Sequence, residues 1–443
     1  MKISIIGMGY VGLITGLGFC NYGHEVICLE KNKKKIKDLN NNKNIIYEPG
    51  LKKILKKHLN KNFFVSQNFK KTIFNTDVTF IAVGTPFENG KFSTKYLKSA
   101  AKEIGLSIKN KKKYHVIIIK STILPGTTDT IIKKQIEKYS GKKAGKNFGL
   151  SMNPEFLREG EAINDFINSD RIVIGHDNFK TQSIVKKIYK KFKKVPIITT
   201  NNKTAELIKY TSNSLLANLI SFANEISNIA DKIGGIDFDE VLSGVELDRR
   251  ITTKINNKLI TPGIVSYLEP GCGFGGSCFP KDVKALSFLA SKLNSNNYIL
   301  KSIIKTNEEQ INKIAEIVLK NVEQKKINIL ILGLAFKPNT DDIRESPSIK
   351  LIKKLLKNKK IIIEVFDPVA ENNTRKIFKD SIKYSTNLSQ STKNKDIIIV
   401  MTKWEIFKGL NNILPKNSNS LIIDPRRFLN KNRFKNYSAF GIS

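Results

Sequence analysis

The chain has 443 residues, of which 40% are hydrophobic, and this length and composition predict two or three folded domains and exclude a wholly disordered protein. Lys and Arg number 76 against 39 Asp and Glu, so the formal net charge is +37, and a nucleic acid or an anionic membrane is a candidate partner. The alternative is a compositional bias, because Lys, Asn and Ile are abundant together, as in NNNKNII at 40–46, and share A/T-rich codons.

The cysteines and histidines indicate neither a disulfide scaffold nor a metal centre. The four cysteines include no CxxC pair and the four histidines have no ligand-like spacing, so we predict no metal site. The first residues enter a strand without an apolar leader, and no apolar run reaches the roughly 18 residues of a membrane span. We therefore expect a reduced, cytoplasmic protein.

Short apolar runs alternate with helical stretches through the first 200 residues. The runs cover residues 3–6, 26–29, 78–83, 115–120, 148–152 and 172–174. Alternation at this spacing predicts an α/β domain with a parallel sheet and helices on both of its faces.

The first run leads into GMGYVG, a GxGxxG motif. Gly7 permits the tight turn, Gly9 lets the backbone approach a diphosphate, and Gly12 allows close packing of helix and strand. Glu30 ends the second strand, where a carboxylate accepts both ribose hydroxyls of an adenosine and repels a 2′-phosphate. Together these features predict a dinucleotide site, with NAD favoured over NADP.

Three loops follow later strands at the sheet edge where α/β proteins bind ligands. Thr85 and Thr122 follow the third and fourth runs and could meet the cofactor, although a helix N-cap is the alternative for each. Glu155 and Glu159 follow the fifth run and lie at the same edge.

A different pattern begins near residue 204. Apolar residues recur at steps of three to five from Leu207 to Ile229 and predict one long helix, which a Gly-Gly pair ends. Lys209 and Asn213 are four residues apart on this helix, so they share a face that could bind an oxyanion. Taken alone, this pair is better explained as a solvated helix face.

A Gly-rich loop leads to Cys278, just before a predicted helix start. A thiolate at a helix N-terminus is stabilised by free N–H groups, and Lys281 adds to this effect. Asp282 lies one turn further on, so the hypothesis is a nucleophilic cysteine with an acid–base neighbour. The alternative is a small buried cysteine in a packed loop, which we accept for Cys20 and Cys28 but leave open for Cys272.

Strand patterns return at residues 327–332, 361–366, 397–401 and 421–423, after a second helical block at about 281–322. The predicted fold class is therefore α/β, with two Rossmann-like doubly wound parallel-sheet domains joined by a central helical region that contains one long helix. We place the domains at residues 1–200, 201–322 and 323–443.

Seven motifs together resemble the UDP-glucose/GDP-mannose dehydrogenase family of nucleotide-sugar 6-dehydrogenases across nearly the whole chain. They are GMGYVG (7–12), VGTP (83–86), KSTILPGT (120–127), NPEFLREG (153–160), AELIKYTSN (205–213), GFGGSCFPKD (273–282) and GLAFKPNTDDIRESPS (333–348). The resemblance implies that the first domain binds NAD, the central one forms a homodimer on its long helix, and the last one binds the nucleotide sugar.

The resemblance implies a four-electron oxidation of a nucleotide sugar at C6 to the uronic acid, with two NAD per sugar. A cysteine would hold the aldehyde as a thiohemiacetal and then as a thioester, which water hydrolyses. The catalytic residues implied are Cys278, Lys209, Asn213, Asp282, Glu155 and Thr122. The lysine and the amide would stabilise an oxyanion, and the two carboxylates, with a water near the threonine, would handle protons.

The resemblance also implies two sets of binding residues. The cofactor set comprises Gly7, Gly9, Val11, Gly12, Glu30, Lys35, Thr85, Thr122, Glu159, Lys281 and Arg344. The substrate set comprises Glu155, Phe156, Leu157, Arg158, Glu159, Lys209, Asn213, Arg250, Tyr267, Leu268, Glu269, Pro270, Gly271, Gly275 and Lys337. Within this set, Arg250 matches a family arginine that is expected to reach the substrate of a second subunit.

The identity of the sugar stays open. The sequence YLEPG at 267–271 is similar to the GDP-mannose branch, whereas GFGGSCFPKD and LAFKPNTDD favour UDP-glucose. We expect UDP-glucose, with GDP-mannose and a UDP-N-acetylhexosamine as alternatives.

Three hypotheses from other classes make different predictions. A basic nucleic-acid or membrane-surface protein on a dehydrogenase fold predicts lysines clustered on one face with aromatics, and we find no such cluster in the sequence. A two-electron hydroxy-acid dehydrogenase needs no nucleophilic cysteine, and a catalytically dead relative would not be expected to keep Cys278 and Asp282. We therefore expect a small-molecule nucleotide sugar as the ligand, with no nucleic-acid and no membrane partner.

Overall fold

The computed structural model describes residues 1–41, 43, 45–88, 90–322 and 326–442. The chain divides into two compact units, Met1–Ser212 and Asn213–Ser443. The predicted start of a third domain, residue 323, lies with 324 and 325 outside the described residues, so the three-domain division stays a prediction.

The strands of the first unit are mostly short and buried. They are β1 (Lys2–Ile6), β2 (Glu25–Leu29), β3 (Phe63–Ser66), β4 (Val78–Ile81), β5 (Phe87–Glu88), β6 (Lys91–Phe92), β7 (His115–Ile119), β8 (Phe148–Met152), β9 (Ile172–Gly175) and β10 (Ile197–Thr200). A parallel six-stranded sheet has the order β3-β2-β1-β4-β7-β8. Strands β9 and β10 pair in parallel apart from it, and β5 and β6 form an antiparallel hairpin.

Helices connect these strands. They are α1 (Tyr10–Asn21), α2 (Lys33–Asn40), α3 (Leu51–His58), α4 (Phe69–Asn75), α5 (Lys95–Ile108), a π-helix (Thr128–Ile132), α6 (Lys133–Ser140), α7 (Ala162–Ile167) and α8 (Phe179–Ile188). Helix α9 (Asn202–Ile233) begins in this unit and continues into the second.

The sheet of the first unit lies between two hydrophobic cores. Ile3 and Ile5 of β1 belong to a core with Leu13 of α1, and Ile6 belongs to a second core with Leu97 of α5. Because alternate residues of a strand point to opposite faces, a strand covered on both faces is mostly apolar along its length. The apolar runs of the sequence therefore marked the buried strands β1, β2, β4, β7, β8 and β9.

The second unit begins with helices and ends with a second parallel sheet. Its helices are α10 (Phe238–Glu246), α11 (Phe279–Lys292), α12 (Tyr298–Lys320), α13 (Pro347–Leu355), α14 (Glu371–Phe378), α15 (Leu388–Ser391) and α16 (Leu410–Ile413), with 3-10 helices at Gly263–Leu268, Lys379–Ser381, Glu405–Gly409 and Lys431–Arg433. Its strands are β11 (Thr253–Ile255), β12 (Lys258–Ile260), β13 (Ile327–Leu332), β14 (Ile361–Phe366), β15 (Lys383–Tyr384), β16 (Ile397–Val400), β17 (Leu421–Ile423) and β18 (Tyr437–Ser438). Strands β11 and β12 form a hairpin, and the sheet has the order β15-β14-β13-β16-β17-β18.

The predicted fold class is confirmed. When the strands of each six-stranded sheet are numbered within that sheet, both have the order 3-2-1-4-5-6 of doubly wound dinucleotide-binding folds. In such sheets ligands bind beyond the carboxyl ends of the strands where the order reverses, which is between β1 and β4 in the first unit and between β13 and β16 in the second.

The structure adds detail that the sequence patterns did not give. The helical block expected at 281–322 is two helices, α11 and α12, with a break in which Asn294 has a φ of +53°. The long helix agrees with its prediction to within two residues at its start. The run at 172–174 belongs to the two-stranded pair and not to the six-stranded sheet.

Candidate active site

The glycine loop after β1 has the geometry that a dinucleotide needs. Gly7 has a φ of +103°, and a Cβ there would lie 2.5 Å from the carbonyl oxygen of Ala82. A Cβ on Gly12 would lie 1.9 Å from the Gly7 carbonyl oxygen, whereas a Cβ on Gly9 would meet nothing within 4 Å. Two glycines therefore allow close packing, and the third leaves open space at the start of α1, so these residues fit a bound NAD diphosphate. Val11 lies in the first turn of the same helix.

Glu30 lies at the carboxyl end of β2, beside this loop. Its Oε1 accepts hydrogen bonds from the backbone N–H groups of Lys31 (2.8 Å) and Asn32 (3.0 Å), and its Oε2 lies 4.0 Å from Nζ of Lys35. These contacts hold the carboxylate at the sheet edge, where it can accept ribose hydroxyls.

The structure brings together the two threonines predicted for the cofactor. The hydroxyl of Thr85 donates to the carbonyl oxygen of Thr122 over 2.8 Å, so the loops after β4 and β7 are joined at the same edge. The N-cap alternative is wrong for both, since the helices that follow are capped at Thr94 and Thr127.

In the second sheet, the crevice beyond the carboxyl ends of the strands, where the strand order reverses, has different side chains. Asp367 follows β14, as Glu30 follows β2, but its carboxylate accepts from four backbone N–H groups. Two of these donors, Leu334 at 2.7 Å and Ala335 at 3.2 Å, belong to the turn after β13, where a diphosphate would approach. The other two are Val369 and Ala370. A protein carboxylate therefore takes up donors of the turn that could otherwise bind an anion.

The loop after β8 holds a buried ion pair. Oε1 of Glu155 lies 3.1 Å from Nζ of Lys209 on α9, and the two side chains are 6% and 5% exposed. Oε2 of Glu155 accepts from the N–H of Leu157 over 2.6 Å. The explanation of Lys209 as part of a solvated face is therefore wrong, and a carboxylate and an ammonium group are held together at this edge.

A second buried lysine in this place was not predicted as a site residue. Lys120 donates from Nζ to Oδ1 of Asn153 over 2.9 Å, and burial lowers the pKa of Lys120 to about 8. Glu155 opposes this shift, whereas Lys209 adds to it. The only sequence signal for Lys120 was its position as the first residue of KSTILPGT.

The remaining predicted residues of this loop differ in their surroundings. Phe156 is covered by the guanidinium of Arg171, whose central carbon is 3.8 Å from the ring centroid. Arg158 is exposed and pairs with Asp165 over 2.7 Å. Glu159 is half-buried and precedes Gly160 at the end of the loop. No sequence pattern indicated Arg171, because its partner is the ring of Phe156 and not a neighbour in the same motif.

Glu206 is a further buried carboxylate that the sequence did not single out. It lies in the first turns of α9 and accepts from the N–H groups of Gly126 (2.5 Å) and Thr128 (2.9 Å) and from the Thr128 hydroxyl (2.6 Å). Burial raises the pKa of Glu206 to about 7. The contacts tie the start of α9 to the loop that carries Thr122.

In the second unit, Cys278 is distinguished from the other cysteines by its exposure. It is half-buried at the N-cap position of α11, whereas Cys20, Cys28 and Cys272 are buried. Burial raises the pKa of Cys20 to about 12 and also raises the pKa values of Cys28 and Cys272. The ambiguity about Cys272 is thereby resolved, because its thiol is 0% exposed.

Asp282 lies one helical turn after Cys278 and is 1% exposed. Its carboxylate accepts from Nδ2 of Asn213 over 2.6 Å and pairs with the ammonium group of Lys281. The hydroxyl of Ser277 is 3.7 Å from Sγ of Cys278. A thiol, a carboxylate, an amide and an ammonium group are therefore held at the start of one helix.

The Gly-rich segment before Cys278 packs against the segment 333–348. A Cβ on Gly275 would lie 2.6 Å from the carbonyl oxygen of Glu345, and the N–H of Gly276 donates to the carbonyl oxygen of Arg344 over 2.9 Å. The guanidinium of Arg344 is 63% exposed and pairs with Asp342 over 2.6 Å. In the same segment, Nζ of Lys337 lies 5.8 Å from the centroid of the Phe336 ring.

The predicted substrate segment 267–271 begins within a 3-10 helix, whose last two residues are Tyr267 and Leu268. Glu269 pairs with Lys403 over 2.5 Å. After the buried Pro270, the N–H of Gly271 donates to Oδ1 of Asn224 over 2.7 Å. By contrast, Arg250 is 88% exposed and pairs with its sequence neighbour Asp248, so it does not join the cluster at Cys278.

Within the described ranges, no helix is both long and apolar enough to span a membrane. In the same part of the chain, no group of three His, Cys, Asp or Glu side chains could hold a metal ion.

Three family models match most of the chain. They belong to the UDP-glucose/GDP-mannose dehydrogenase family and cover its NAD binding domain (residues 1–193), its central domain (203–309) and its UDP binding domain (330–431).

Individual relatives align over nearly the full length. The UDP-glucose 6-dehydrogenase of Rickettsia conorii is 38% identical over 98% of this chain and 97% of that protein. The solved structure of a UDP-glucose dehydrogenase from Pyrobaculum islandicum has a TM-score of 0.90 at 32% identity, covering 100% of this chain and 98% of that one. A GDP-mannose dehydrogenase from Pseudomonas aeruginosa has a TM-score of 0.55 at 34% identity, with 99% of each chain covered.

Proposed function

The chain belongs to the UDP-glucose/GDP-mannose dehydrogenase family, and we propose that it oxidises UDP-glucose at C6 to UDP-glucuronate. As a member of this family it is an NAD-dependent nucleotide-sugar dehydrogenase. The net reaction consumes one UDP-glucose, two NAD+ and one water, and yields UDP-glucuronate, two NADH and protons.

The observation that carries the proposal is the surroundings of Cys278. A partly exposed thiol lies at the N-cap of α11, where the free N–H groups of the first turn favour a thiolate. The carboxylate of Asp282 lies one turn away and is held in place by Asn213. This arrangement supplies a nucleophile and an acid–base group, which covalent catalysis requires.

NAD, when bound, supplies the oxidant, with one NAD+ for each two-electron oxidation. After the first oxidation, Sγ of Cys278 adds to the aldehyde carbon and forms a thiohemiacetal, so the aldehyde cannot escape. The second oxidation leaves a thioester on the same sulfur, and water attacks its carbonyl carbon and releases the thiol. The covalent bond is what allows two oxidations on one bound sugar.

The other predicted catalytic residues stabilise developing charge and transfer protons. We assign oxyanion stabilisation to Lys209 and Asn213, and proton handling to Asp282 with a water near Thr122 and Glu155. Buried N–H donors are most effective where water is excluded, and both oxyanion donors are at most 6% exposed. The remaining members of the predicted cofactor and substrate sets keep their binding roles as part of this proposal.

We also propose that the protein is a homodimer formed on α9. Leu215, Phe222 and Ile229 recur at steps of seven residues along this helix and are 49%, 57% and 49% exposed. A seven-residue repeat of apolar side chains produces one stripe along a helix, as in paired helices that bury such a stripe. A second copy of α9 has the matching stripe.

The experiment is a count of NADH released per nucleotide sugar, over UDP-glucose, GDP-mannose and UDP-N-acetylhexosamines. We expect about two NADH per UDP-glucose consumed, as the thioester route requires. A ratio near one, or turnover with another sugar of the panel and not with UDP-glucose, would contradict the proposal. GDP-mannose is the informative competitor, because segment 267–271 is similar to that branch.

Cysteine variants test the covalent step. Cys278→Ser should abolish formation of the uronic acid, whereas Cys272→Ser, which changes a fully buried thiol, should retain it. If Cys278→Ser still produced two NADH per sugar, the thioester route would be wrong.

A further inference from the structure

Glu48 is a buried carboxylate in the segment between α2 and α3, outside the seven motifs. Glu48 is only 5% exposed. Oε2 accepts from the N–H of Gly160 and Oε1 accepts from the N–H of Ala162, both over 2.7 Å. Oε2 also accepts from the hydroxyl of Tyr10. Three donors from two distant segments therefore meet on one side chain.

The donors explain why a carboxylate can be buried here. An unpaired buried charge is costly, whereas hydrogen bonds to a charged acceptor are about twice as strong as neutral ones. Ala162 begins α7, so the negative charge also lies at the positive end of that helix. Burial and the bond to Glu48 raise the pKa of Tyr10 well above its usual range, so the hydroxyl remains a donor.

Two of the donors to Glu48, Tyr10 and Gly160, lie next to residues of the predicted cofactor set. Tyr10 lies between Gly9 and Val11, at the start of α1, where the diphosphate is expected. Gly160 follows Glu159 and has a φ of +86°, and its N–H also donates to the Tyr10 hydroxyl over 3.1 Å. Three residues of the predicted cofactor set, Gly9, Val11 and Glu159, are therefore direct chain neighbours of Tyr10 or Gly160.

We propose that Glu48 is a positioning residue for NAD, which fixes the end of the loop 153–160, and with it Glu159, against the glycine loop at the start of α1. Glu48 does not touch the cofactor in this role; it sets the place of two segments that do. The inference rests on NAD as the cofactor, and only its kinetic test rests on the proposed oxidation of UDP-glucose.

The first test measures NAD binding directly, by calorimetry or by quenching of protein fluorescence, without any sugar. Glu48→Gln keeps the size of the side chain. Its amide NH2 group, however, would face one of the groups that donate to the carboxylate in the wild type. We expect the dissociation constant of NAD to rise about tenfold, as for the loss of one charge-assisted hydrogen bond. Tyr10→Phe removes only one of the three bonds and should raise it less.

Asp424 offers a closely matched control. Its carboxylate is also buried and accepts from a tyrosine hydroxyl, of Tyr437, and from three backbone N–H groups, of Arg426, Phe428 and Leu429. It lies in the second unit, at the end of β17. Asp424→Asn should lower the melting temperature comparably and leave the dissociation constant of NAD unchanged.

The kinetic test separates positioning from a loss of active protein. With UDP-glucose as substrate, Glu48→Gln should raise the KM for NAD about as much as it raises the dissociation constant, while kcat changes less. Unfolded protein would instead lower kcat at unchanged KM.

Two results would overturn the inference. One is a lower melting temperature of Glu48→Gln with an unchanged dissociation constant of NAD; the other is an equal loss of NAD affinity in Asp424→Asn. If Glu48→Gln does not fold, Tyr10→Phe decides, since unchanged NAD affinity in that variant would also reject the proposal. Wild-type protein that binds NAD but oxidises no UDP-glucose would contradict the proposed function and leave the binding comparison intact.

Discussion

Glu206 illustrates at the scale of one residue how burial couples protonation to stability. Its carboxylate is 0% exposed and accepts three hydrogen bonds from Gly126 and Thr128, yet burial still raises the pKa of Glu206 to about 7 from a usual 4.5. Asp129 contributes in the same direction. Desolvation therefore outweighs the hydrogen bonds that favour the charged form.

This shift predicts a pH dependence of stability. Between about pH 4.5 and 7 the folded chain holds a proton that the unfolded chain releases, so this group makes the free energy of unfolding fall as pH rises. A shift of this size corresponds to about 3 kcal/mol across the window. Because Gln does not titrate, Glu206→Gln should flatten the fall, as measured by urea unfolding at several pH values.

The exposed Glu316 on α12 provides the control for this measurement. Glu316→Gln should leave the pH dependence of the unfolding free energy as in the wild type. If Glu206→Gln and the wild type lost stability in parallel from pH 4.5 to 7, the inferred protonation of Glu206 would be wrong.

The ion pair between Lys209 and Glu155 gives a second prediction at this scale. Lys209→Met keeps most of the length of the unbranched side chain but removes the ammonium group, so an oxyanion would lose one charged donor. We expect kcat for UDP-glucose oxidation to fall about 10²- to 10³-fold. Lys203→Met, at an exposed position in the first turn of α9, should leave kcat nearly unchanged. Equal kcat values in the two variants would remove Lys209 from the catalytic set.

At the scale of the element, α9 combines two kinds of residue. Lys209 and Asn213 are buried, whereas Leu215, Phe222 and Ile229 are about half exposed. Since 3.6 residues form a turn, side chains seven apart lie almost above one another. One helix thus supplies predicted catalytic groups and a surface suited to a second subunit.

The stripe on α9 predicts a change in oligomeric state. Phe222→Lys together with Ile229→Lys places two charges in the proposed interface, where they would be buried without partners. We expect a dimer to become a monomer, measured by size-exclusion chromatography with light scattering. Phe179→Lys, at a phenylalanine of α8 that is 82% exposed, should remain dimeric. A wild type that is monomeric at micromolar concentration would contradict the dimer proposal.

Elements differed in how well the sequence predicted them. The strands at 148–152, 327–332 and 361–366 were predicted with their observed bounds, because each is apolar at all but one of its positions, as is typical of strands buried on both faces. Strands β3 and β10 were missed. Both are four residues long and only partly buried at most of their positions, so no long apolar run marks them.

The candidate site was predictable only where a local pattern or the family resemblance marked it. The glycine loop and Cys278 stand next to predicted helix starts, so sequence position alone indicated their chemistry. Glu48, Lys120 and Glu206 make their contacts with groups far away in the chain, mostly backbone N–H and carbonyl groups. Because each residue has such groups, no sequence pattern identifies these partners.

At the scale of the whole molecule, the chain contains the same sheet topology twice. The two sheets differ in their binding residues although their topology is the same. Of the two turns, only the first has the GxGxxG sequence and an open space at Gly9. In the second, Asp367 accepts from the backbone N–H groups of the turn after β13. The fold alone would predict a dinucleotide site at both sheets. The residues of the two turns predict such a site at the first sheet only.

Because Asp367 accepts from the N–H groups of the turn in the second sheet, we expect only the first sheet to bind NAD. In a calorimetric titration without sugar, NAD should saturate at one equivalent per chain, although the proposed reaction consumes two. The two proposed oxidations would then use the same pocket in succession, and NADH would have to leave and NAD+ enter while the sugar remains bound. Saturation at two equivalents per chain would contradict this reading of the second crevice.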